Sequence, residues 1–235
     1  MSANAPPVNS MKLLVTNDDG VDAPGLQALL QALGEDVMVV APDQELSGCS
    51  HQVTTRQPLQ LQQRAEQVFA LSGTPVDCVR VALRHLDPAL NYVLSGINQG
   101  ANLGTDIYIS GTVAAIREAA LHGLPGIAFS QYRRGKHPID WARATRWTRR
   151  VMADLIQLPL PPGNFWNVNF PHLEPEQPDP AVIFCPPCTR PLSVNFRVEG
   201  AQLYYVGEYA QRSRTPGADV DVCFSGAIAV SEIHL

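Results

Sequence analysis

Two carboxylates stand side by side in Asn17-Asp18-Asp19-Gly20, directly after a short apolar stretch that is typical of a buried strand. Like charges held in a partly dry place repel, and each favours its protonated form unless something compensates. A surface hairpin turn is one explanation, because Asp-Gly is a common hairpin dipeptide. After Pro24, however, leucines recur at helical spacing, which indicates a helix entered through proline. The pattern therefore predicts strand, acidic loop and helix.

Oxygen-bearing side chains also follow two later predicted strands. Ser47 lies after the second strand of the chain, and Asn98 follows a later one. Because the carboxyl ends of parallel strands meet at one edge of a sheet, we expect Ser47 and Asn98 to approach Asp18 and Asp19. Carboxylate, hydroxyl and amide oxygens form a hard ligand set that suits Mg²⁺, Mn²⁺ or Ca²⁺ better than zinc. A divalent cation there would neutralise the two adjacent carboxylates.

A glycine-rich segment, Ser95–Ala120, contains the predicted helix start Ser110-Gly111-Thr112. It has neither the Gly-Lys-Ser/Thr of a Walker A loop nor the G-x-G-x-x-G of a dinucleotide site. Free backbone N–H groups and the helix dipole nevertheless make a helix start a binding place for anions. Ser110 acting only as a helix N-cap is the alternative. Beside a metal loop, a phosphate site is the favoured interpretation.

The elements that must position these residues alternate between strand and helix. Strands are predicted over 12–16, 36–41, 92–94, 126–130 and 166–170, and helices over 24–33, 75–86, 110–121 and 141–156. Such alternation predicts an α/β fold, a Rossmann-like three-layer sandwich with a mostly parallel sheet.

The last quarter of the chain loses this alternation. We therefore predict a catalytic core over 1–171, with a β-like insertion at about 53–71, and an oligomerisation arm over 172–235. The arm combines a proline-rich loop with a β-hairpin or C-terminal extension, which we expect to exchange between subunits. Asp219-Val220-Asp221-Val222 resembles the loop of aspartyl-phosphate phosphatases, but too little chain follows it for that fold. We assign these four residues to the arm.

Composition narrows the class of protein. The chain has 235 residues, 17 basic against 22 acidic, and a formal net charge of −5, which argues against binding to duplex nucleic acid. No apolar run has the length of a membrane span, and the first residues lack the features of a signal peptide, so we expect a cytoplasmic protein. The five scattered cysteines suit a reducing compartment, and Cys185 and Cys188 lack a second ligand pair for zinc.

Several blocks of the sequence together resemble the SurE family, the stationary-phase survival proteins, which are metal-dependent 5'/3'-nucleotidases. The resemblance covers most of the chain. It is carried by TNDDGVDAPG at 16–25, APDQELSG at 41–48, SGTPVDCV at 72–79, SGINQGANLGTDIYISGTVAAIREAALHGLPGIAFS at 95–130 and NVNFP at 167–171. It implies a phosphohydrolase that acts on nucleoside 5'- and 3'-monophosphates, with one Mg²⁺ or Mn²⁺ ion per subunit, in a homodimer or homotetramer.

The resemblance also implies roles for individual residues. The metal ligands would be Asp18, Asp19, Ser47 and Asn98, with Asp18 and Asp19 also catalytic. The predicted substrate and phosphate contacts are Asn17, Gly20, Asn98, Asn102, Ser110, Gly111 and Thr112. The C-terminal end, from Gly217-Ala218-Asp219 onward, departs from the family pattern.

Two alternatives remain open on the sequence. One is a regulatory module that binds a metal or nucleotide without catalysis, since fold alone does not establish an activity. The other is a broad acid phosphatase or exopolyphosphatase.

Overall fold

The computed structural model describes residues 11–34 and 37–235. Its α-helices are α1 (Pro24–Leu33), α2 (Pro75–Val81), α3 (Gly111–Leu121), α4 (Trp141–Leu155) and α5 (Asp219–Phe224). Its strands are β1 (Leu13–Thr16), β2 (Val37–Pro42), β3 (Leu61–Ala65), β4 (Val68–Leu71), β5 (Tyr92–Gln99), β6 (Gly126–Gln131), β7 (Asn164–Phe170), β8 (Val182–Phe184), β9 (Phe196–Glu199), β10 (Gln202–Tyr205) and β11 (Ile228–His234). Asp36, the predicted start of the second strand, lies outside the described residues.

Nine strands form one sheet in the order β3-β4-β2-β1-β5-β6-β7-β11-β8. From β4 to β7 all neighbours are parallel, while β3 and β11 are antiparallel to β4 and β7. The predicted α/β fold with a mostly parallel sheet is thereby confirmed. The sequence motifs at the ends of β1, β2 and β5 lie at one edge, since these three strands are neighbours.

Helices cover both faces of the sheet, as expected for strands that are apolar throughout. In β1, Val15 packs into the core beneath α1 and α4, whereas the preceding Leu14 packs beneath α2 and α3. Consecutive strand residues point to opposite faces, so each strand contributes to both cores. The molecule therefore has the predicted three layers.

The helices begin where capping chemistry allows. The hydroxyl of Thr74 accepts from Asp77 N–H, and Ser110 and Asp140 cap α3 and α4 in the same way. The helix predicted over 75–86 is α-helical only to Val81 and continues as a π-helical turn through Leu86. That turn closes with a bond from Asp87 N–H to the Ala82 carbonyl, 2.9 Å long.

The C-terminal quarter is more closely tied to the sheet than the sequence predicts. Strands β8 and β11 extend the main sheet, and only β9 and β10 form a separate antiparallel hairpin. Asp219–Val222, which the sequence pattern assigns to the arm, lie in α5. The Asp219 carboxylate is fully buried and accepts from the N–H groups of Gly104 and Cys188, so tertiary contacts determine this short helix. The boundary at residue 171 stays a prediction.

Within the described residues, all five cysteines are free and no helix is long and apolar enough to cross a membrane.

Candidate active site

The acidic loop after β1 is closed by its own asparagine. The Asn17 side-chain amide donates to the Gly20 carbonyl at 2.8 Å, and Gly20 N–H donates to Asn17 Oδ1 at 3.2 Å. Gly20 has φ +103°, a conformation that other residues rarely adopt. Asn17 and Gly20, both predicted substrate contacts, thus hold the loop that presents Asp18 and Asp19.

Asp18 is the buried carboxylate of the pair, 4% exposed, and lies against the first turn of α3. The hydroxyl of Thr112 donates to Asp18 Oδ1. At Gly111 the space is so tight that an added Cβ would lie 2.9 Å from Asp18 Oδ2. Burial raises the pKa of Asp18 to about 6, because desolvation and repulsion from Asp19 together outweigh the hydrogen bond from Thr112.

Asp19 is turned toward β5. Its Oδ2 accepts from Gln99 N–H at 3.1 Å. Burial raises the pKa of Asp19, the bond from Gln99 opposes that change, and the charge of Glu45 adds to it. The two carboxylates therefore have different neighbours, and the surroundings of each disfavour its negative charge.

The loop after β2 is joined directly to the acidic loop. Leu46 N–H donates to the Asp18 carbonyl at 2.8 Å, one residue before Ser47. The Ser47 hydroxyl is exposed and donates to Glu45 Oε1 at 2.8 Å. These bonds bring the predicted ligand Ser47 to the loop that carries Asp18.

Ser50 and His51, which follow the Ser47 loop, attach it to the α3 side of the molecule. The Ser50 hydroxyl donates to the Tyr108 carbonyl at 2.8 Å. His51 Nε2 lies 2.9 Å from the Glu118 carboxylate, which also accepts from Arg80 Nε at 2.5 Å. Glu118 is 1% exposed, so a buried ionic cluster fixes the far end of this loop.

Asn98 lies near the end of β5, in the partly buried position that the strand-end rule predicts. Its amide nitrogen donates to the Gly100 carbonyl at 2.9 Å, which makes the amide oxygen the atom available to a ligand. Gly100 N–H in turn donates to the Gln131 carbonyl at 3.1 Å. The end of β5 is thus held by β6.

Ser110 and Asn102 are both engaged within the protein. The Ser110 hydroxyl accepts from Val113 N–H at 3.1 Å and caps α3, which is the alternative considered from sequence. The Asn102 amide donates to the Ser130 hydroxyl, and its backbone is held by Asn169. Asn102 therefore sits in a buried polar network beneath the loop between β5 and α3.

The donor chemistry of this crevice fits a hard divalent cation. Three neighbouring segments supply two adjacent carboxylates, an exposed hydroxyl and an amide oxygen, and the two carboxylates lack a cationic partner among the contacts described above. In the described part of the chain, no group of three or more His, Cys, Asp or Glu side chains is arranged as a metal site.

Three residues next to the crevice are not predicted as neighbours of the site from the sequence. Glu45 bonds Ser47, Cys49 lies close to Gly111, and Glu118 holds His51. Burial and the charge of Asp18 raise the pKa of Cys49 to about 11, so its thiol stays protonated at neutral pH. Of these three residues, Glu45 could have been predicted from its position in the same loop as Ser47. The contacts of Cys49 and Glu118 depend on how that loop packs against α3, which no local pattern indicates.

Comparison with known proteins places the chain in a family. The family model described as Survival protein SurE matches residues 13–191. A protein of Nostoc sp. is 53% identical over 226 residues, spanning 96% of this chain and 100% of its own. The protein of Allorhizobium ampelinum named 5'-nucleotidase SurE is 39% identical over 236 residues, spanning 96% of this chain and 92% of its own.

The fold agrees with that similarity. The crystal structure of the SurE protein from Aquifex aeolicus superposes with a TM-score of 0.82 at 30% identity, covering 95% of this chain and 93% of that one. The resemblance inferred from sequence is confirmed. The chain belongs to the SurE family.

Proposed function

We propose that the crevice at the ends of β1, β2 and β5 hydrolyses the phosphate monoester of nucleoside 5'-monophosphates, and of 3'-monophosphates, with one Mg²⁺ or Mn²⁺ per subunit. The observation that carries the proposal is that three separate segments are bonded to the two aspartates. Leu46 N–H donates to the Asp18 carbonyl, the Thr112 hydroxyl donates to the Asp18 side chain, and Gln99 N–H donates to the Asp19 side chain. Relatives carry the name 5'-nucleotidase, and the chain is an enzyme of that class.

Each side chain takes a role that its chemistry allows. Asp18 and Asp19 supply the negative charge that holds the cation, and Ser47 and Asn98 add neutral oxygens. The bound ion would act as a Lewis acid toward the phosphoryl oxygens. A carboxylate beside the cation can orient the attacking water or accept its proton, and either Asp18 or Asp19 would take this role.

The first turn of α3 is the proposed phosphate-binding site. Helix α3 spans 11 residues, so its N-terminus presents free N–H groups and a positive dipole end toward the crevice. Gly111 lets Asp18 pack directly against the backbone of this turn, and the Thr112 hydroxyl donates to the Asp18 carboxylate. Asn102 would position the loop that leads into Ser110, through its hydrogen bonds to Ser130 and Asn169.

Phosphate release measured with purified protein tests this function. Wild-type protein is expected to release phosphate from AMP in Mn²⁺ or Mg²⁺ and to stop in EDTA. Asp18→Asn should lower kcat/KM at least about 100-fold, since it removes charge at the point of catalysis. Asp22→Asn is the matched control, because that aspartate follows in the same segment with its side chain 82% exposed.

The alternatives give different results in the same assay. Nucleotide binding without phosphate release would favour a regulatory module. Equal turnover of AMP, p-nitrophenyl phosphate and short polyphosphate would favour a broad phosphatase or exopolyphosphatase. Release that persists unchanged in EDTA would contradict the metal-dependent reaction.

We also propose that the enzyme works in the cytoplasm as a homodimer or homotetramer. The apolar side chains of the β9–β10 hairpin support this assembly, because Val198 and Leu203 are each 64% exposed in the single chain. Exchange of this hairpin between subunits would bury them.

A further inference from the structure

A cavity of about 280 Å³ opens at the same edge of the sheet, beyond the candidate metal ligands. Its walls come from the end of β6, the loop that leads into α4, the first turns of α4, and the segment that follows β7. The lining residues that matter here are Gln131, His137, Ile139, Trp147, His172 and Glu174. None of them belongs to the predicted site.

Backbone pairing connects this cavity to the acidic loop. Gln99, whose N–H is bonded to Asp19, is paired in register with Gln131 of the adjacent strand β6. Neighbouring strands lie about 4.8 Å apart, so the ends of β6 and β7 lie one and two such steps beyond the end of β5. The cavity therefore lies on the β6 side of the acidic loop, at the same edge of the sheet.

The lining of the cavity suits a flat, partly polar ring system. The rings of His137 and His172 meet edge to face with centroids 5.4 Å apart, and Ile139 and Trp147 add apolar surface. The Glu174 side chain, at the rim, can accept from an amino or hydroxyl group. Ligand sites of this kind combine apolar walls with a few polar groups.

The wall is also held in place before any ligand arrives. The Arg143 guanidinium lies over the Trp147 ring, 5.0 Å from its centroid, and donates to the carbonyls of Glu174 and Gln177. These bonds tie the start of α4 to the segment after β7. A preformed cavity loses less entropy on binding than one that must be assembled.

We propose that this cavity binds the nucleoside part of the substrate, while the Asp18–Thr112 end of the crevice holds the phosphate. The inference rests on the proposed function, which it deepens by assigning a place to the base and ribose. A substrate without a base, such as ribose 5-phosphate, would use only the phosphate end.

Substitution of two lining residues tests the assignment. In His172→Ala and Ile139→Ala, the ratio of kcat/KM for AMP to that for ribose 5-phosphate should fall about tenfold, which is the effect of losing one well-packed ring or side chain. The inhibition constant of adenosine should rise by a similar factor. His85→Ala, an exposed histidine in the turn after α2, is the control and should change neither quantity.

Failure of this inference can be told from failure of the proposed function. If wild-type protein hydrolyses AMP but both variants keep its substrate ratio and adenosine inhibition, the cavity assignment is wrong and the nucleotidase stands. If no nucleotide is hydrolysed, calorimetry with adenosine still decides: binding lost in both folded variants supports the assignment, while unaltered binding or none to wild type overturns it. Circular dichroism verifies the fold of each variant.

Discussion

The contact between Asp18 and the start of α3 makes Gly111 a sensitive position. A Cβ there would lie 2.8 Å from Cys49 Sγ and 2.9 Å from Asp18 Cβ, closer than real Cβ atoms approach such neighbours. We predict that Gly111→Ala lowers kcat for AMP about 10- to 100-fold, because a displaced Asp18 no longer matches the positions required for reaction. Steady-state kinetics at saturating Mn²⁺ measures the loss.

A glycine at the other end of α3 supplies the control. Gly123 has φ +77° and no heavy atom within 4 Å of an added Cβ. Gly123→Ala should therefore cost about 1 kcal/mol of stability through backbone strain while kcat stays unchanged. Full activity in Gly111→Ala would show that the close packing of α3 against Asp18 is not required for catalysis.

At this scale the sequence predicts which residues lie at the same edge of the sheet, but it predicts their individual hydrogen-bond partners less well. The strand-end rule brings Asp18, Asp19 and Asn98 to one edge, because it depends only on sheet topology. It does not reveal that the Asn102 amide is bonded to Ser130, since that partner lies on another strand 28 residues away. Hydrogen bonds of this kind follow from tertiary packing, which no local pattern encodes.

At the scale of elements, Glu118 joins α3 to α2 and to the Ser47 loop. Burial alone raises the pKa of this carboxyl, but hydrogen bonds and charges from Arg80 and His51 outweigh burial, so the pKa lies below its ordinary value. His122 also faces it at 3.1 Å, with Arg84 beyond. A folded-state pKa below the unfolded one means that stability is present above the ordinary glutamate pKa and is lost as pH falls through the folded value.

Glu118→Gln should remove this part of the pH dependence. We expect the variant to lose about 2 kcal/mol at pH 7, the usual contribution of hydrogen bonds to a charged group, and to show a flatter stability profile between about pH 5 and pH 3. Urea unfolding across that range measures both effects. Glu176→Gln, an exposed glutamate, should follow wild type. Parallel profiles for Glu118→Gln and wild type would rule out this ionic cluster as a source of acid sensitivity.

Elements with strong local signals were predicted well. Helices α1 and α4 match the predicted ranges closely, because proline or a capping aspartate marks their starts and apolar spacing marks their length. The β-like stretch at 53–71 contains the hairpin of β3 and β4, at the sheet edge. Helix α5 was missed, since six residues rich in aspartate and valine carry no helical period. Its start instead depends on the buried Asp219 contacts.

At the scale of the whole molecule, two parts of the C-terminal quarter differ in how they are attached to the rest of the chain. Arg212, 3% exposed, donates to Asp106 at 2.6 Å and so locks the segment before α5 onto the loop between β5 and α3. Among the residues that the structure describes, strands β9 and β10 instead pair only with each other. The sequence predicts strands here but not which of them join the sheet, because the partner strand β7 is more than 50 residues from β11.

The hairpin offers the sharpest test of assembly. Phe196, Val198, Leu203 and Tyr205 share one face, since Val198 is paired with Leu203 and Phe196 with Tyr205, and all four are more than half exposed. A two-stranded hairpin is barely stable alone, so we expect this face to pack on a second copy of the chain. Val198→Lys combined with Leu203→Lys should convert the proposed dimer or tetramer to a monomer in light scattering, whereas Gln202→Lys, on the opposite face, should not. An unchanged mass in the double variant would exclude this face as the subunit contact, while a fall in mass that leaves the core's unfolding unchanged would place assembly in the hairpin.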